Sequence, residues 1–129
     1  MSHELFVAAR DAMAKCYARY SDFPVGAAIR AEDGKIYSGA NVEIASFPEG
    51  WCAETTAIGH MIMGGARKIT EVAVIAEKMV ACTPCGGCRQ RLAEFSGPDT
   101  AVHLCDANGI VRTVTMAELL PLAFDGSGL

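Results

Sequence analysis

The sequence predicts an α/β fold, a three-layer α/β/α sandwich around a mixed five-stranded sheet with the element order αββαβαββα. Three observations support this prediction. Helical and strand patterns alternate along the chain, with short turns between them. The segment Ile69–Ala76 is apolar and β-branched over most of its length, which is typical of a strand covered on both faces. Apolar residues make up 51% of the 129 residues, which is enough for one domain over residues 1–129 to bury a core.

The first third of the chain predicts one helix and two strands. An apolar stripe at helical spacing predicts a helix over residues 2–19, with Ser2 as its N-cap. Two strands should follow, over residues 25–31 and 36–42, because the turn sequence EDGK separates them. We therefore expect the chain to begin with a helix and a β-hairpin.

The rest of the chain predicts helices and strands in alternation. Residues 52–63 should form a helix that ends at two glycines, and a capping box from Thr115 to Glu118 should open the last helix. Proline at position 84 suits the entry to another helix. That helix is predicted over residues 85–95. Strands are predicted over residues 69–76, 101–105 and 110–114.

Charge and composition restrict the classes of partner. The net charge is −4, from 11 basic and 15 acidic residues, which disfavours a polynucleotide because nucleic-acid binding depends on clustered basic charge. Residues 1–10 lack a signal-peptide pattern, and no apolar run is long enough to span a bilayer. We therefore expect a cytoplasmic protein with a small substrate, in which the six cysteines are metal ligands or buried residues rather than disulfides.

Two short cysteine motifs carry the chemistry. The chain reads CAE at residues 52–54 and PCGGC at residues 84–88, which supplies three thiols and one carboxylate. Catalytic zinc sites have three protein ligands and leave one position open, whereas structural sites are closed by four. Cys52, Cys85 and Cys88 therefore predict an open zinc site, with Glu54 beside it as a general acid and base. The other three cysteines, Cys16, Cys82 and Cys105, are interpreted as lying outside this site.

Both motifs fall at the starts of predicted helices. Free backbone N–H groups in a first helical turn stabilise thiolates, and residues three apart on one turn point the same way, as Cys85 and Cys88 would. Three thiolates on Zn²⁺ leave a net charge of −1, which weakens the metal as a Lewis acid unless positive charge offsets it. Arg89, Arg91 and the helix N-termini are the candidates for that offset.

Two simpler interpretations remain open at this stage. The zinc site could be closed and structural, with His60 or His103 as its fourth ligand, although neither has a suitable spacing. A glutamate in a first helical turn also interacts favourably with the helix dipole, so Glu54 by itself does not require catalysis.

The chain resembles the small homotetrameric cytidine deaminases of the zinc-dependent cytidine/deoxycytidylate deaminase superfamily. The resemblance covers most of the chain, and six blocks occur in the family order. They are YSDFPVGAA (20–28), GANVE (39–43), CAE (52–54), PCGGCRQ (84–90), AEF (93–95) and ELLPLAF (118–124).

The resemblance implies a role for particular residues. Cys52, Cys85 and Cys88 match the zinc ligands, and Glu54 matches the proton shuttle. Phe23 matches an aromatic residue that packs on the base.

Further matches concern the sugar and the edges of the pocket. Asn41 and Glu43 match the pair that hydrogen-bonds the ribose hydroxyls. The backbone at Ala53 and Thr83 matches groups that bind the edge of the ring. Phe124 matches an aromatic residue that helps to close the pocket of a neighbouring subunit.

Two features depart from the family pattern. Many relatives have an arginine directly after the catalytic glutamate, where it helps to neutralise the thiolates, and this chain has Thr55. The loop at residues 47–51, FPEGW, also differs from the commoner form. We expect Trp51 to border the entrance of the site.

The resemblance implies a specific reaction. It is the zinc-dependent hydrolytic deamination of cytidine and 2′-deoxycytidine to uridine and 2′-deoxyuridine, with release of ammonia, in pyrimidine salvage. One Zn²⁺ per chain and a homotetramer with shared pockets are implied as well. Two alternatives stay open: a deaminase of a modified cytosine nucleoside such as blasticidin S, and a non-catalytic zinc module with a protein side chain as the fourth ligand.

Overall fold

The computed structural model describes residues 2–129. Its helices and strands follow the predicted order αββαβαββα, with one additional 3-10 turn at Phe47–Glu49. Within residues 2–129, no helix is both long and apolar enough to cross a membrane. The elements are α1 (Ser2–Met13), β1 (Val25–Ala31), β2 (Ile36–Ala40), α2 (Ala53–Met63), β3 (Ile69–Ala76), α3 (Gly86–Phe95), β4 (Ala101–Asp106), β5 (Gly109–Thr115) and α4 (Met116–Leu119).

The five strands form one mixed sheet in the order β2-β1-β3-β4-β5. Strands β3 and β4 run parallel, whereas the pairs β1–β2, β1–β3 and β4–β5 are antiparallel. The central strand β3 is buried over most of its length, as its apolar sequence predicts. The mixed sheet of the sequence prediction is therefore confirmed.

Helices cover both faces of the sheet, which gives the three predicted layers. On one face α1 packs Leu5, Phe6 and Ala9 against the sheet. On the other face α2 and α3 bury Ala57, Met61 and Leu92 in a larger cluster with the opposite side of the strands. Burying a side chain of the size of Leu92 stabilises the fold by about 1.5–3 kcal/mol.

A glycine sets the close approach of α2 to the sheet. A Cβ atom on Gly39 of β2 would lie 2.5 Å from the amide nitrogen of Ala57, a separation that no real side chain tolerates. Any other residue at position 39 would therefore move α2 away from β2 and displace the helix that carries the CAE motif.

The predicted helix over residues 2–19 is wrong at its C-terminal end, because α1 ends at Met13. The backbone of Tyr17 instead donates to Asn41 and accepts from Glu43, at 3.0 and 2.8 Å. Residues 14–19 are thus held in a loop by hydrogen bonds to a distant part of the chain, which outweigh the local helical pattern.

Two smaller predictions also need correction. Ser2 is itself helical rather than the N-cap, and its hydroxyl donates to Glu71 at 2.8 Å. The second strand ends at Ala40 instead of residue 42, because Val42 leaves it to form bridges with Tyr17 and Trp51.

The helix starts agree closely with the sequence. Cys52 and Cys85 are the N-cap residues of α2 and α3, one position before the first helical residue. The predicted capping box is present at α4, since Thr115 and Glu118 bond to each other's backbone N–H groups. Helix α4 is a single turn, and the cap satisfies the free N–H group of Glu118 while those of Met116 and Ala117 donate to the carbonyl oxygens of Thr100 and Pro98.

Candidate active site

The strand directions bring the two cysteine motifs together. Both β2 and β3 run antiparallel to β1, so their carboxyl ends lie at the same edge of the sheet. The loops that leave these ends lead into α2 and α3, whose N-termini carry Cys52 and Cys85. Ligand sites of α/β proteins commonly lie beyond the carboxyl ends of strands.

The sulfur atoms of Cys52, Cys85 and Cys88 lie within 4.8 Å of one another, and we call this group the three-thiol site. Tetrahedral zinc with Zn–S bonds of about 2.3 Å separates its sulfur ligands by about 3.8 Å. The sulfurs of Cys52 and Cys85 are 3.8 Å apart. The spacing and the donor type therefore fit zinc.

The thiols of Cys52 and Cys88 differ in their pKa values. The hydrogen bond from Cys88 lowers the pKa of the Cys52 thiol to about 6. The same bond, together with burial, raises the pKa of Cys88. The Cys52 thiol therefore ionises readily, whereas a nearby cation would be needed to ionise Cys88 beside it.

Glu54 lies beside the three-thiol site in the first turn of α2. It is 3% exposed, and burial followed by the negative charge of Cys52 raises the pKa of its carboxyl group. Its carboxyl also bonds to Cys88. A buried carboxyl group with a raised pKa holds a proton more readily than an exposed one, which suits general acid and base catalysis.

A cavity of about 620 Å³ adjoins these residues. Side chains or backbone of Cys52, Ala53, Glu54, Thr83 and Cys85 line it. The other predicted residues in its wall are Phe23, Asn41, Glu43 and Trp51. The structure thus gathers the predicted residues, apart from Phe124 and the buried ligand Cys88, around one cavity.

Asn41 and Glu43, which follow the end of β2, hydrogen-bond to the loop that precedes β1. Asn41 Nδ2 donates to the carbonyl oxygen of Phe23, and Asn41 Oδ1 accepts from the amide of Val25, both at 3.0 Å. Glu43 accepts from the amides of Tyr20 and Ser21 at 2.9 Å, and also from the Ser21 hydroxyl. These hydrogen bonds fix the loop that carries Phe23.

Phe124 lies away from the cavity of its own chain. It is 71% exposed, and its carbonyl oxygen accepts a hydrogen bond from Gln90 at 2.9 Å. A single chain therefore does not bring Phe124 to the other predicted site residues.

Several residues of the cavity wall escape prediction from the sequence. Tyr20 and Phe47 line the cavity and form an aromatic pair with ring centroids 5.6 Å apart. Cys82, interpreted from sequence as lying outside the site, also lines the cavity. Tyr20 and Cys82 lie in loops and Phe47 lies in the short 3-10 turn, so no periodic pattern indicates which way their side chains face. Cys105, by contrast, is fully buried in the core, as predicted.

Neither of the two candidate fourth ligands, His60 and His103, lies with the three thiols. His60 Nδ1 bonds to the carbonyl oxygen of Ser38 at 2.7 Å. His103 bonds to Thr113 and Glu71, in the sheet. Among residues 2–129, the metal-binding group consists of the three thiols, which leaves the position for a fourth ligand open.

Comparisons with known proteins agree with this geometry. Residues 1–104 match the family model described as "Cytidine and deoxycytidylate deaminase zinc-binding region". The cytidine deaminase of Sporosarcina psychrophila is 40% identical over 126 residues, which cover 98% of this chain and 93% of the relative. That of Halalkalibacterium halodurans is 43% identical over 108 residues, with 84% of this chain and 82% of the relative covered.

Solved structures show the same similarity. The crystal structure of cytidine deaminase from Burkholderia pseudomallei superposes with a TM-score of 0.90 at 41% identity, covering 96% of this chain and 99% of that one. The corresponding structure from Mycobacterium tuberculosis gives 0.85 at 32% identity, covering 95% and 96%. With its three thiols and one buried glutamate where two helices begin, the chain belongs to the cytidine and deoxycytidylate deaminase family.

Proposed function

We propose that this protein is a zinc-dependent deaminase that hydrolyses cytidine and 2′-deoxycytidine to uridine and 2′-deoxyuridine, with release of ammonia. The observation that carries the proposal is the position of Glu54, a buried carboxyl group in contact with a three-thiol site in the wall of a large cavity. Two bacterial proteins that are named cytidine deaminase are similar to this protein over most of its chain.

The metal is held by Cys52, Cys85 and Cys88. One Zn²⁺ bound there supplies a Lewis acid that makes water nucleophilic near neutral pH. The protein contributes the geometry, because the starts of two helices position the three thiols.

Glu54 moves the protons of the reaction. Hydrolysis forms a C4–O bond and breaks the bond from C4 to the exocyclic nitrogen. Of the two protons of the water, Glu54 passes one to the ring nitrogen N3 and the other to the departing amine, which leaves as ammonia. The raised pKa of Glu54 suits both the uptake and the delivery, and such catalysis typically contributes about 10²–10⁴-fold.

The cavity binds the nucleoside through groups on several loops. Phe23 packs on the base, and the backbone at Ala53 and Thr83 binds the ring edge. Asn41 and Glu43 bind the ribose hydroxyls. Each carboxylate oxygen accepts more than one hydrogen bond, so Glu43 retains capacity for a hydroxyl while it holds the 20–21 backbone.

The protein acts as a homotetramer in the cytoplasm, on a free nucleoside rather than a polynucleotide. Phe124 and Leu122 are 71% and 95% exposed, and Phe124 closes the cavity of a neighbouring subunit. The net charge of −4 disfavours binding to a polynucleotide.

Mass measurement at the assay concentration tests the proposed homotetramer, and a fully active monomer would contradict it.

Product analysis tests the proposed reaction. We expect the zinc-loaded protein to convert cytidine to equal amounts of uridine and ammonia, and to lose this activity when a chelator removes the metal. Blasticidin S serves as the comparison substrate. Faster turnover of blasticidin S than of cytidine would contradict the proposal. Cytidine turnover that is the same before and after complete metal removal would contradict it as well.

A further inference from the structure

The three sulfurs of the three-thiol site differ in their access to water. Cys85 is exposed and Cys52 is half-buried, whereas Cys88 is fully buried. Three thiolates with Zn²⁺ carry a net charge of −1, and water cannot solvate the share of that charge on a buried sulfur. A protein group must therefore supply positive charge at Cys88.

Arg91 reaches the buried sulfur. Its Nη1 atom donates to the Sγ atom of Cys88 at 3.7 Å. Thr55 is a further neighbour, whose hydroxyl lies 4.0 Å from the same sulfur and carries no charge.

Gly87 leaves the space that the guanidinium group occupies. A Cβ atom at position 87 would lie 3.1 Å from Arg91 Nη1 and less than 4 Å from two further guanidinium atoms. Gly87 and Arg91 are four residues apart on α3, so they share one face of the helix. The missing side chain thus lets Arg91 fold back toward the helix N-terminus and Cys88.

The other candidate arginine has a different role. Arg89 Nε donates to the carbonyl oxygen of Pro84 at 2.8 Å, and its Nη1 donates to that of Leu119 at 3.0 Å. These contacts join the start of α3 to α4. Backbone carbonyls thus hold the guanidinium group of Arg89, whereas that of Arg91 contacts a thiol.

We infer that Arg91 is the positioning residue that balances the charge of the metal–thiolate group through Cys88, and that Gly87 provides the room for it. The effect on turnover rests on the proposed function. By withdrawing electron density from one sulfur, Arg91 keeps the bound metal a stronger Lewis acid than three uncompensated thiolates would allow.

Cobalt substitution tests the electronic effect without any need for turnover. The variants are Arg91→Gln and Arg91→Lys, with Arg112→Gln as a matched loss of charge on the exposed strand β5. A positive charge near a thiolate raises the energy needed to move an electron from sulfur to Co²⁺. We expect Arg91→Gln to shift the charge-transfer band to longer wavelength, Arg91→Lys to restore part of the shift, and Arg112→Gln to leave the band in place.

Gly87→Ala gives a second route to the same result. Its methyl group should displace the guanidinium group and produce part of the shift of Arg91→Gln. Because the methyl group acts through Arg91, we expect no further shift when Gly87→Ala is added to Arg91→Gln.

Turnover of the zinc-loaded variants completes the test. Loss of a residue that tunes a metal ligand typically costs 10–100-fold, so we expect kcat to fall by about that factor in Arg91→Gln with about one zinc per chain retained. A band and a kcat in Arg91→Gln that match those of Arg112→Gln would overturn the inference. Absence of cytidine turnover in the wild type would instead overturn the proposed function, and the cobalt band would still decide the role of Arg91.

Discussion

Asn41 holds the backbone of Phe23 through a hydrogen bond of 3.0 Å from its side-chain amide to the carbonyl oxygen of Phe23. Its amide oxygen accepts from Val25 at the same time. The residue proposed to bind the ribose thus also fixes the loop whose aromatic ring is proposed to pack on the base. The proposed binding of the sugar and the proposed binding of the base therefore depend on one shared contact.

Replacement of Asn41 should weaken substrate binding more than one lost ribose contact would. We expect Asn41→Ala to raise KM at least about tenfold, because an unsatisfied buried hydrogen-bonding group costs about 1–3 kcal/mol. Asn108→Ala, in the exposed turn before Gly109, is the control. Steady-state kinetics with cytidine measure the effect, and an unchanged KM in Asn41→Ala would contradict both roles.

Trp51 forms part of the cavity wall and is fixed in place by a hydrogen bond. Its indole Nε1 donates to the Thr56 hydroxyl at 2.7 Å, and that hydroxyl donates to the carbonyl oxygen of Ala40. We expect Trp51→Ala to raise KM several-fold, and Trp51→Phe to have a smaller effect because it keeps an aromatic wall. If both variants have the kinetics of the wild type, Trp51 does not border the substrate.

Glu71 makes stability depend on pH at a position remote from the proposed chemistry. Burial raises the pKa of its carboxyl group, but hydrogen bonds from Ser2 and His103 outweigh burial and hold it below the ordinary value of 4.5. The stabilisation is therefore present above pH 4.5 and is lost as the pH falls through the lower, folded-state pKa.

The matching experiment compares unfolding free energies across pH. We expect Glu71→Gln to be less stable than the wild type by about 1–2 kcal/mol near neutral pH, with a difference that shrinks below pH 4.5. Glu94→Gln removes the same charge from the exposed face of α3 and serves as the control. A difference that stays constant through this range would show that the charge of Glu71 contributes nothing.

The order of elements and the metal ligands could be predicted because their signals are local. Cys85 and Cys88 lie within one helical turn, so their spacing alone shows that they can share a metal. The grouping of Cys52 with that turn is predicted from the CAE and PCGGC motifs, and the strand directions explain how the two motifs meet. The roles of Glu54 and the nucleoside-binding residues remain predictions.

What the sequence could not predict depends on non-local contacts. The helical pattern of residues 14–19 is overridden by pairing of Tyr17 with residues 41–43. Arg89 and Arg91 carry the same charge beside the same ligand, and the carbonyl oxygens of Pro84 and Leu119 and the gap at Gly87 distinguish them. Loop residues such as Cys82 face the cavity without a pattern that indicates it.

Glu54 is proposed to carry protons beside a three-thiol zinc site. The most direct test follows the loss of cytidine absorbance with the wild type and Glu54→Gln, both assayed for bound zinc. Burial raises the pKa of Glu54, so the neutral glutamine should fold without a penalty. We predict a fall in kcat of about 10²–10⁴-fold with about one zinc per chain in both proteins. Near-normal turnover in zinc-loaded Glu54→Gln would contradict the account.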